Sequence, residues 1–378
     1  MRNGLRYLIL VYLCVVSPAV IAQDRPANHD GQTSVASASI EFSRPKIIAD
    51  LNAKPTIAGR FDCSEDGSIY TFIDGYAPNN AGATPKERLA LLGIHPDGSV
   101  TSFSWRSVQG YRDISLPKSV YVGNGQVYVL VEGTPDSAIE GRRSPYPLVL
   151  TFDQNGSLIR TTVLEQGLDP LTFGVFRSGN VVVISEDRLN HRMALDLVRP
   201  DGTAIRQLDL GSSDYLALQA SKTSEEGGQR KYNPTLLIAM SKFFPLGDHL
   251  LLVPLETSGL PIVELGEQGV VKAVVPQLPE HAVLESFISS TTSALKMRLA
   301  TVVQTQHPAL DPQGNLLSVG TTPSPRITEL SLADGKVLSE TDIGSPLVQP
   351  ACEAAGAFRL LTSTGSAGKL AVVAAHSR

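Results

Sequence analysis

Apolar and polar positions along this chain fall into short runs rather than long helical stretches. Ser68-Ile69-Tyr70-Thr71-Phe72, Gln126-Val127-Tyr128-Val129-Leu130, Asn180-Val181-Val182-Val183-Ile184 and Leu250-Leu251-Leu252-Val253 are β-branched, aromatic or alternating. Such runs predict strands. Between strand-like runs stand Asp66-Gly67, Asp97-Gly98, Asn124-Gly125, Asn155-Gly156, Asp201-Gly202 and Asp334-Gly335. Both residues of such a pair tolerate positive φ, as a two-residue hairpin loop requires.

Two hairpin types alternate. The first turns at Gly67, Gly125, Gly179, Gly247, Gly314 and Gly356 and leads into a strongly apolar strand. The second turns at Gly98, Gly156, Gly202, Gly269 and Gly335 and ends in a more polar strand. Successive first-type glycines are 58, 54, 68, 67 and 42 residues apart, so each repeat holds two hairpins and four strands. One such sheet buries little alone, whereas stacking neighbours around a ring buries both faces. The pattern predicts an all-β fold, a six-bladed β-propeller of four-stranded antiparallel blades. The sixth blade, from Ala351 to Ala374, is short of an outer strand. Ser39 to Phe42 and Lys46 to Leu51 are spare at the other end. N-terminal residues are therefore expected to complete the last blade and latch the ring. Two separate β domains are the competing architecture, which the absence of a central linker disfavours.

The segments Pro308-Ala309-Leu310-Asp311-Pro312-Gln313-Gly314-Asn315 and Arg326-Ile327-Thr328-Glu329-Leu330-Ser331-Leu332-Ala333-Asp334-Gly335 carry a resemblance. Their order is Asp-x-x-Gly, strand, a loop ending in Arg, strand, then Asp-Gly. This pattern resembles the NHL scheme, and Arg88 and Arg192 hold the matching place in their blades. Over roughly residues 40–376 the chain resembles the six-bladed propellers of the NHL, SMP-30 and TolB-like superfamily. The NHL strand-end Ala-Asp-x-x-Asn is absent, so the resemblance is one of architecture. Such architecture does not specify function.

Composition narrows the classes. The chain has 378 residues, 42% hydrophobic and 18% charged, with a formal charge of −5. This is too apolar for a disordered protein and too acidic for a polybasic nucleic-acid binder. Arg2 and Arg6 precede the apolar run Leu8 to Val16, and Ala22 closes a cleavage-site pattern, so residues 1–22 read as a secretory signal peptide. Its removal takes two positive charges and leaves −7. Residues 23–37 read as a flexible leader and 38–378 as a single propeller domain. No later run is long enough to span a membrane, so an exported, monomeric, periplasmic or extracellular protein is expected. Cys63 and Cys352 remain after Cys14 leaves, each four residues before its blade's turn glycine. In an oxidising compartment they could form a disulfide between neighbouring blades one and six, worth about 3–5 kcal/mol by loop entropy. The alternative is two small buried hydrophobes.

The longest loops are expected on the face opposite the tight turns, and function with them. Within one of them, Glu280 to Leu299 has apolar residues at near-helical spacing. It could form a covering helix or lid, or serve as a surface connector. Seven residues before each first-type glycine stand Arg60, Lys118, Thr172, Met240, His307 and Gln349. This ring at the channel mouth has no carboxylate, unlike the acid and Asn metal ligands that the SMP-30 resemblance implies. Arg60, Lys118 and His307 suggest a small anionic ligand, or else rim cations paired with loop acids. Arg142, Arg143 and Tyr146, with Arg188 and His191 in the next blade, form a second candidate clamp, since Arg offers a planar fork to carboxylate or phosphate. Ion pairing between those loops is the plain alternative, and Tyr111-Arg112-Asp113 is a weaker third candidate. No nucleophile elbow, zinc motif or P-loop occurs. Asn155-Gly156-Ser157 matches a glycosylation sequon but is better explained as a turn. No metal or cofactor is expected. The reading is an exported ligand- or protein-binding scaffold; the alternative is a propeller enzyme of lactonase or lyase type at the same mouth.

Overall fold

The computed structural model describes residues 37–39, 46–51, 61–74, 89–137, 145–187, 192–208, 241–254, 261–278, 282–287, 296–310, 316–343, 348–354, 357–364 and 369–376. Among these residues every regular element is a strand. Residues 35–378 form one compact unit.

Two N-terminal strands, β1 (Ser37–Ser39) and β2 (Lys46–Leu51), precede the first blade. Blade 1 is β3 (Phe61–Cys63), β4 (Ile69–Asp74), β5 (Leu89–Ile94) and β6 (Val100–Phe103). In blade 2, β7 (Tyr111–Arg112) and β8 (Ser119–Gly123) both pair with β9 (Gln126–Pro135), followed by β10 (Tyr146–Phe152) and β11 (Leu158–Val163). Blade 3 is β12 (Leu168–Val175), β13 (Val181–Asp187), β14 (Arg192–Val198) and β15 (Ala204–Gln207). Blade 4 is β16 (Lys242–Leu246), β17 (His249–Val253), β18 (Ile262–Gly266) and β19 (Gly269–Val274). Blade 5 is β20 (Ala282–Phe287), β21 (Lys296–Leu310), β22 (Leu316–Ser331) and β23 (Val337–Asp342). Blade 6 is β24 (Val348–Ala354), β25 (Ala357–Thr364) and β26 (Lys369–His376), with β2 as its outermost strand. The ladders within blades are antiparallel, and the whole is a six-bladed β-propeller.

The ring is closed by the chain's N-terminal part. Strand β2 pairs antiparallel with β26, with Leu51 opposite Leu370 and Asp50 opposite Ala371. Strand β1 goes elsewhere, pairing parallel with the outer strand β23 of blade 5. The N-terminal segment thus covers the outer edges of two blades, where sequence patterning placed it on one.

Strands buried on both faces explain why so many runs are almost wholly apolar. Val127, Val129 and Val131 pack towards blade 1, whereas Tyr128 and Leu130, between them, pack towards blade 3. Leu251 and Val253 meet Met297 and Leu299 of blade 5, while Leu250 and Leu252 belong to the core shared with blade 3. Ala300, Ile327, Phe358 and Leu360 join blades 5 and 6, and Phe61, Ile69, Ala351 and Leu361 join blades 6 and 1. Period-two side chains therefore serve two interfaces per blade. Each fully buried Leu, Val or Phe contributes about 1.5–3 kcal/mol relative to exposure.

Blade 5 departs from the sequence pattern. Its second and third strands form a hairpin of 15 and 16 residues around Gly314. Strand β20 pairs only with 299–303 and β23 only with 326–330, so 304–310 and 316–323 pair with each other beyond both flanking strands. Gly314 itself is outside the described residues, and the segment that holds it joins second and third strands, not first and second as a first-type turn does. The Glu280 to Leu299 segment forms no helix among its described residues. Its 282–287 portion is innermost strand β20, and β21 begins at Lys296. The near-helical spacing misled because pairing of β20 with β21 overrides local preference.

Candidate functional site

Strand topology divides the molecule into two faces. Turns between first and second, and third and fourth, strands lie on one face, the turn face. The other connections lie on the loop face. The innermost strands are β3, β8, β12, β16, β20 and β24, and they surround the channel.

A buried ion pair crosses this channel. Asp62 on β3 and Lys242 on β16 belong to blades 1 and 4, opposite each other in a ring of six. The Lys242 Nζ lies 2.7 Å from Asp62 Oδ1, with side chains 13% and 3% exposed. It also donates to the Phe61 carbonyl at 2.7 Å and sits 5.3 and 5.1 Å from the Phe61 and Phe244 ring centres. Asp62 accepts two backbone N–H groups, from Cys63 at 2.8 Å and Val122 at 2.6 Å. Burial raises the Asp62 carboxyl above the usual carboxylate range, and the Lys242 charge and these hydrogen bonds only partly oppose it. Pattern reading missed this pair because it stepped back seven residues from each turn glycine. Five residues back from Gly67 and Gly247 stand Asp62 and Lys242, equivalent positions of opposite charge in opposite blades.

On the turn face opens a cavity of about 690 Å³, whose wall includes Cys63 and Val122, the two residues whose N–H groups Asp62 accepts. First-type turns of blades 1 to 4 line it, together with Gln154 and Glu353. Cys63, also in its wall, is disulfide-bonded to Cys352 with a Cα separation of 6.0 Å. The bond ties innermost strands of the first and last blades. Asp66 accepts hydrogen bonds from Ser64 Oγ, Ser68 N and Ser68 Oγ, and its carboxyl is held below the usual range by them. Glu353 accepts from Arg298, which also grips Glu329. Arg177 approaches Asp248 at 3.7 Å, both highly exposed at 75% and 82%.

On the loop face, Lys118 precedes β8. Its Nζ is 2.7 Å from Glu132 Oε1 and 2.5 Å from Asp169 Oδ1. Two carboxylates from adjacent blades thus meet the one cation, where the seven-back ring contained none. Glu132 comes from β9, which is not an innermost strand, and Asp169 from the start of innermost β12, beyond the position seven residues before its turn glycine. Thr172 is buried and donates to the Ser241 carbonyl at 3.1 Å. His307 lies on β21, opposite Gly320 in the ribbon, and not on an innermost strand. Its place in the ring followed from treating Gly314 as a first-type turn. Tyr146 packs against the core between blades 1 and 2, beside Tyr111. Arg60, Arg142, Arg143, Arg188 and His191 lie outside the described residues.

Ser68 Oγ is 3.0 Å from His95 Nδ1 and donates to Asp66. Ser68 is fully buried and His95 Nε2 is held by Thr101 at 2.8 Å, so this trio braces blade 1 and offers no exposed nucleophile. Among the described residues no group of three or more His, Cys, Asp or Glu could hold a metal ion, and no helix is long and apolar enough to cross a membrane.

Fold and plugged channel define the class, a six-bladed β-propeller. No protein-family model matches the chain, and no curated protein matches its sequence. Similar solved structures include a protein of unknown function from Bacteroides caccae, 10% identical with a TM-score of 0.34, covering 80% of this chain and 88% of that one. Another is the β-propeller domain of Myceliophteria thermophila Cps50 (Swd1), 11% identical with a TM-score of 0.38, covering 87% and 99%. A variant of puromycin hydrolase is 15% identical with a TM-score of 0.36, over 85% of this chain and 44% of that one.

Proposed function

We propose that the protein is an exported binding propeller, a distant member of the NHL, SMP-30 and TolB-like superfamily. It holds a small ligand or a protein partner at a mouth of its channel. The observation that carries this reading is the turn-face cavity of about 690 Å³. Its volume lies within the usual range for ligand pockets, and the Asp62–Lys242 pair between opposite blades suits the channel to capture more than to passage. Export is supported by the charged n-region and apolar run at residues 1–22 and by the Cys63–Cys352 bond, which suits an oxidising compartment. An anionic ligand at the loop-face mouth draws less support, because Lys118 is already met by Glu132 and Asp169.

A thermal-shift screen of the mature protein against sugar acids, lactones, phosphates, amino acids, peptides and divalent metals tests the reading. A ligand at 100 times its dissociation constant adds about 2.7 kcal/mol to stability. A reproducible rise in melting temperature with one chemical class is expected. No shift with any class, and no complex with a protein on size-exclusion chromatography of native extracts, would overturn it.

A further inference from the structure

We propose that the turn-face cavity binds a dipolar ligand carrying an ammonium group at one end and a carboxylate at the other, an amino acid or short peptide. This deepens the binding reading above and rests on it. Two of the charged residues lining the cavity, Asp66 and Glu353, are already engaged. The Asp66 carboxylate is taken by Ser64 and Ser68. Glu353 is taken by Arg298. The Asp62 carboxylate beneath occupies the backbone N–H groups of Cys63 and Val122, two residues of the cavity wall, so they have no donor left to offer a ligand.

Two lining charges remain. Glu65 is exposed and has no hydrogen-bond or ion-pair partner among the described residues. Among the described residues Arg177 has only the long contact to Asp248, between two side chains at least three-quarters exposed. Exposed pairs of that kind hold their members weakly. Glu65 stands on the first turn of blade 1 and Arg177 on that of blade 3. Between them lies the blade 2 turn, Gly123 to Gly125. A Cβ placed on Gly125 would meet nothing within 4 Å, so the tip of this turn is open. Gln154 adds a neutral amide to the wall. A free anion would face Glu65 and a free cation would face Arg177. A ligand with both charges, one at each end, complements both walls, and opposed charges of this kind set orientation and reject like-charged competitors.

Isothermal titration calorimetry with the mature protein and a set of alanyl dipeptides tests this, with the N-acetyl and C-terminal amide forms of the best binder. Binding of the free dipeptide is expected, and each blocked form should bind about tenfold more weakly, as expected for losing a hydrogen bond to a charged group. Glu65→Gln should weaken the free dipeptide equally, and N-acetylation should then cost nothing more. Arg177→Gln should do the same for the carboxylate. Both side chains are exposed, so unchanged melting temperatures for the free variants are expected and separate ligand loss from unfolding. Binding insensitive to blocking either end, or to both substitutions, overturns the proposal. If free amino acids and dipeptides do not bind while another class in the thermal-shift screen does, the dipolar ligand is refuted and the binding reading survives. If nothing binds, both fall.

Discussion

At the scale of single residues, the Asp62–Lys242 pair is the costliest feature of the core. Two charges are held away from water, and removing one partner strands the other. Lys242→Met should therefore destabilise the protein by about 3–5 kcal/mol at neutral pH, read by guanidinium denaturation. The pH dependence carries a definite sign. Asp62 has its folded-state carboxyl raised above the unfolded value, so the folded state binds the extra proton. Its contribution is fully present below the unfolded value and is lost as pH rises through the folded one. Lys242→Met removes the charge that pulls this carboxyl down, so the raised window widens. The deficit of Lys242→Met against wild type should shrink as pH falls towards the acid side of that window. A deficit that is constant with pH would show that Asp62 does not feel Lys242. Comparison with wild type matters because Asp66 and Glu329, with lowered carboxyls, destabilise both proteins alike as pH falls through their folded values.

Among elements, the glycines between third and fourth strands do more than turn the chain. Gly156 of blade 2 approaches the outer strand of blade 1 so closely that a Cβ would lie 2.6 Å from the Ser102 carbonyl oxygen. Gly202 of blade 3 meets Val163 of blade 2 in the same way, and Gly335 of blade 5 meets Val275 beyond the outer strand of blade 4. These positions are spacers between neighbouring blades as well as left-handed turn residues. Gly110 shares the positive φ, at 82°, but faces open space. Gly110→Ala should cost about 1–2 kcal/mol, the penalty for a left-handed backbone alone. Gly335→Ala, with φ of 76° and a backbone carbonyl in the way, should cost about 2–4 kcal/mol once overpacking is added. Urea denaturation of the two variants checks the difference, and equal losses would mean that blade contact adds nothing.

For the whole molecule, two closures act around blades 6 and 1. Strand β2 gives blade 6 its outer edge, and the Cys63–Cys352 bond ties the inner strands of blades 1 and 6. The bond spans 289 residues of sequence, so it restricts the unfolded chain strongly. Cys63→Ala/Cys352→Ala should lower stability by about 3–5 kcal/mol, and reductant should have no further effect on that variant. Non-reducing guanidinium denaturation of both proteins reads it. Identical midpoints would mean that blade packing and the β2 latch already close the ring without help. Either way, the β2 pairing gives blade 6 an outer strand that the C-terminal part of the chain does not supply.

Much of this architecture was legible from local chemistry. Asp-Gly and Asn-Gly pairs announce hairpins because few residues accept positive φ, and apolar runs announce strands buried on both faces. Lys46 to Leu51 could be matched to the incomplete last blade because a spare strand covers an otherwise open blade edge. Gly314 deceived because a turn-like glycine reads alike whether it separates first and second strands or second and third. The candidate site was harder. Lys118 could be picked out by counting along one strand, but Glu132 and Asp169 approach it from another strand and another blade. Asp62 and Lys242 are 180 residues apart, and nothing near either predicts the other. Strand, turn and repeat can be read along the chain, because they depend on residues within a few positions. Which charges neutralise one another across the ring, and which remain at the mouth, is settled by how the blades are placed. Such pairing depends on distances between blades, which no local pattern encodes.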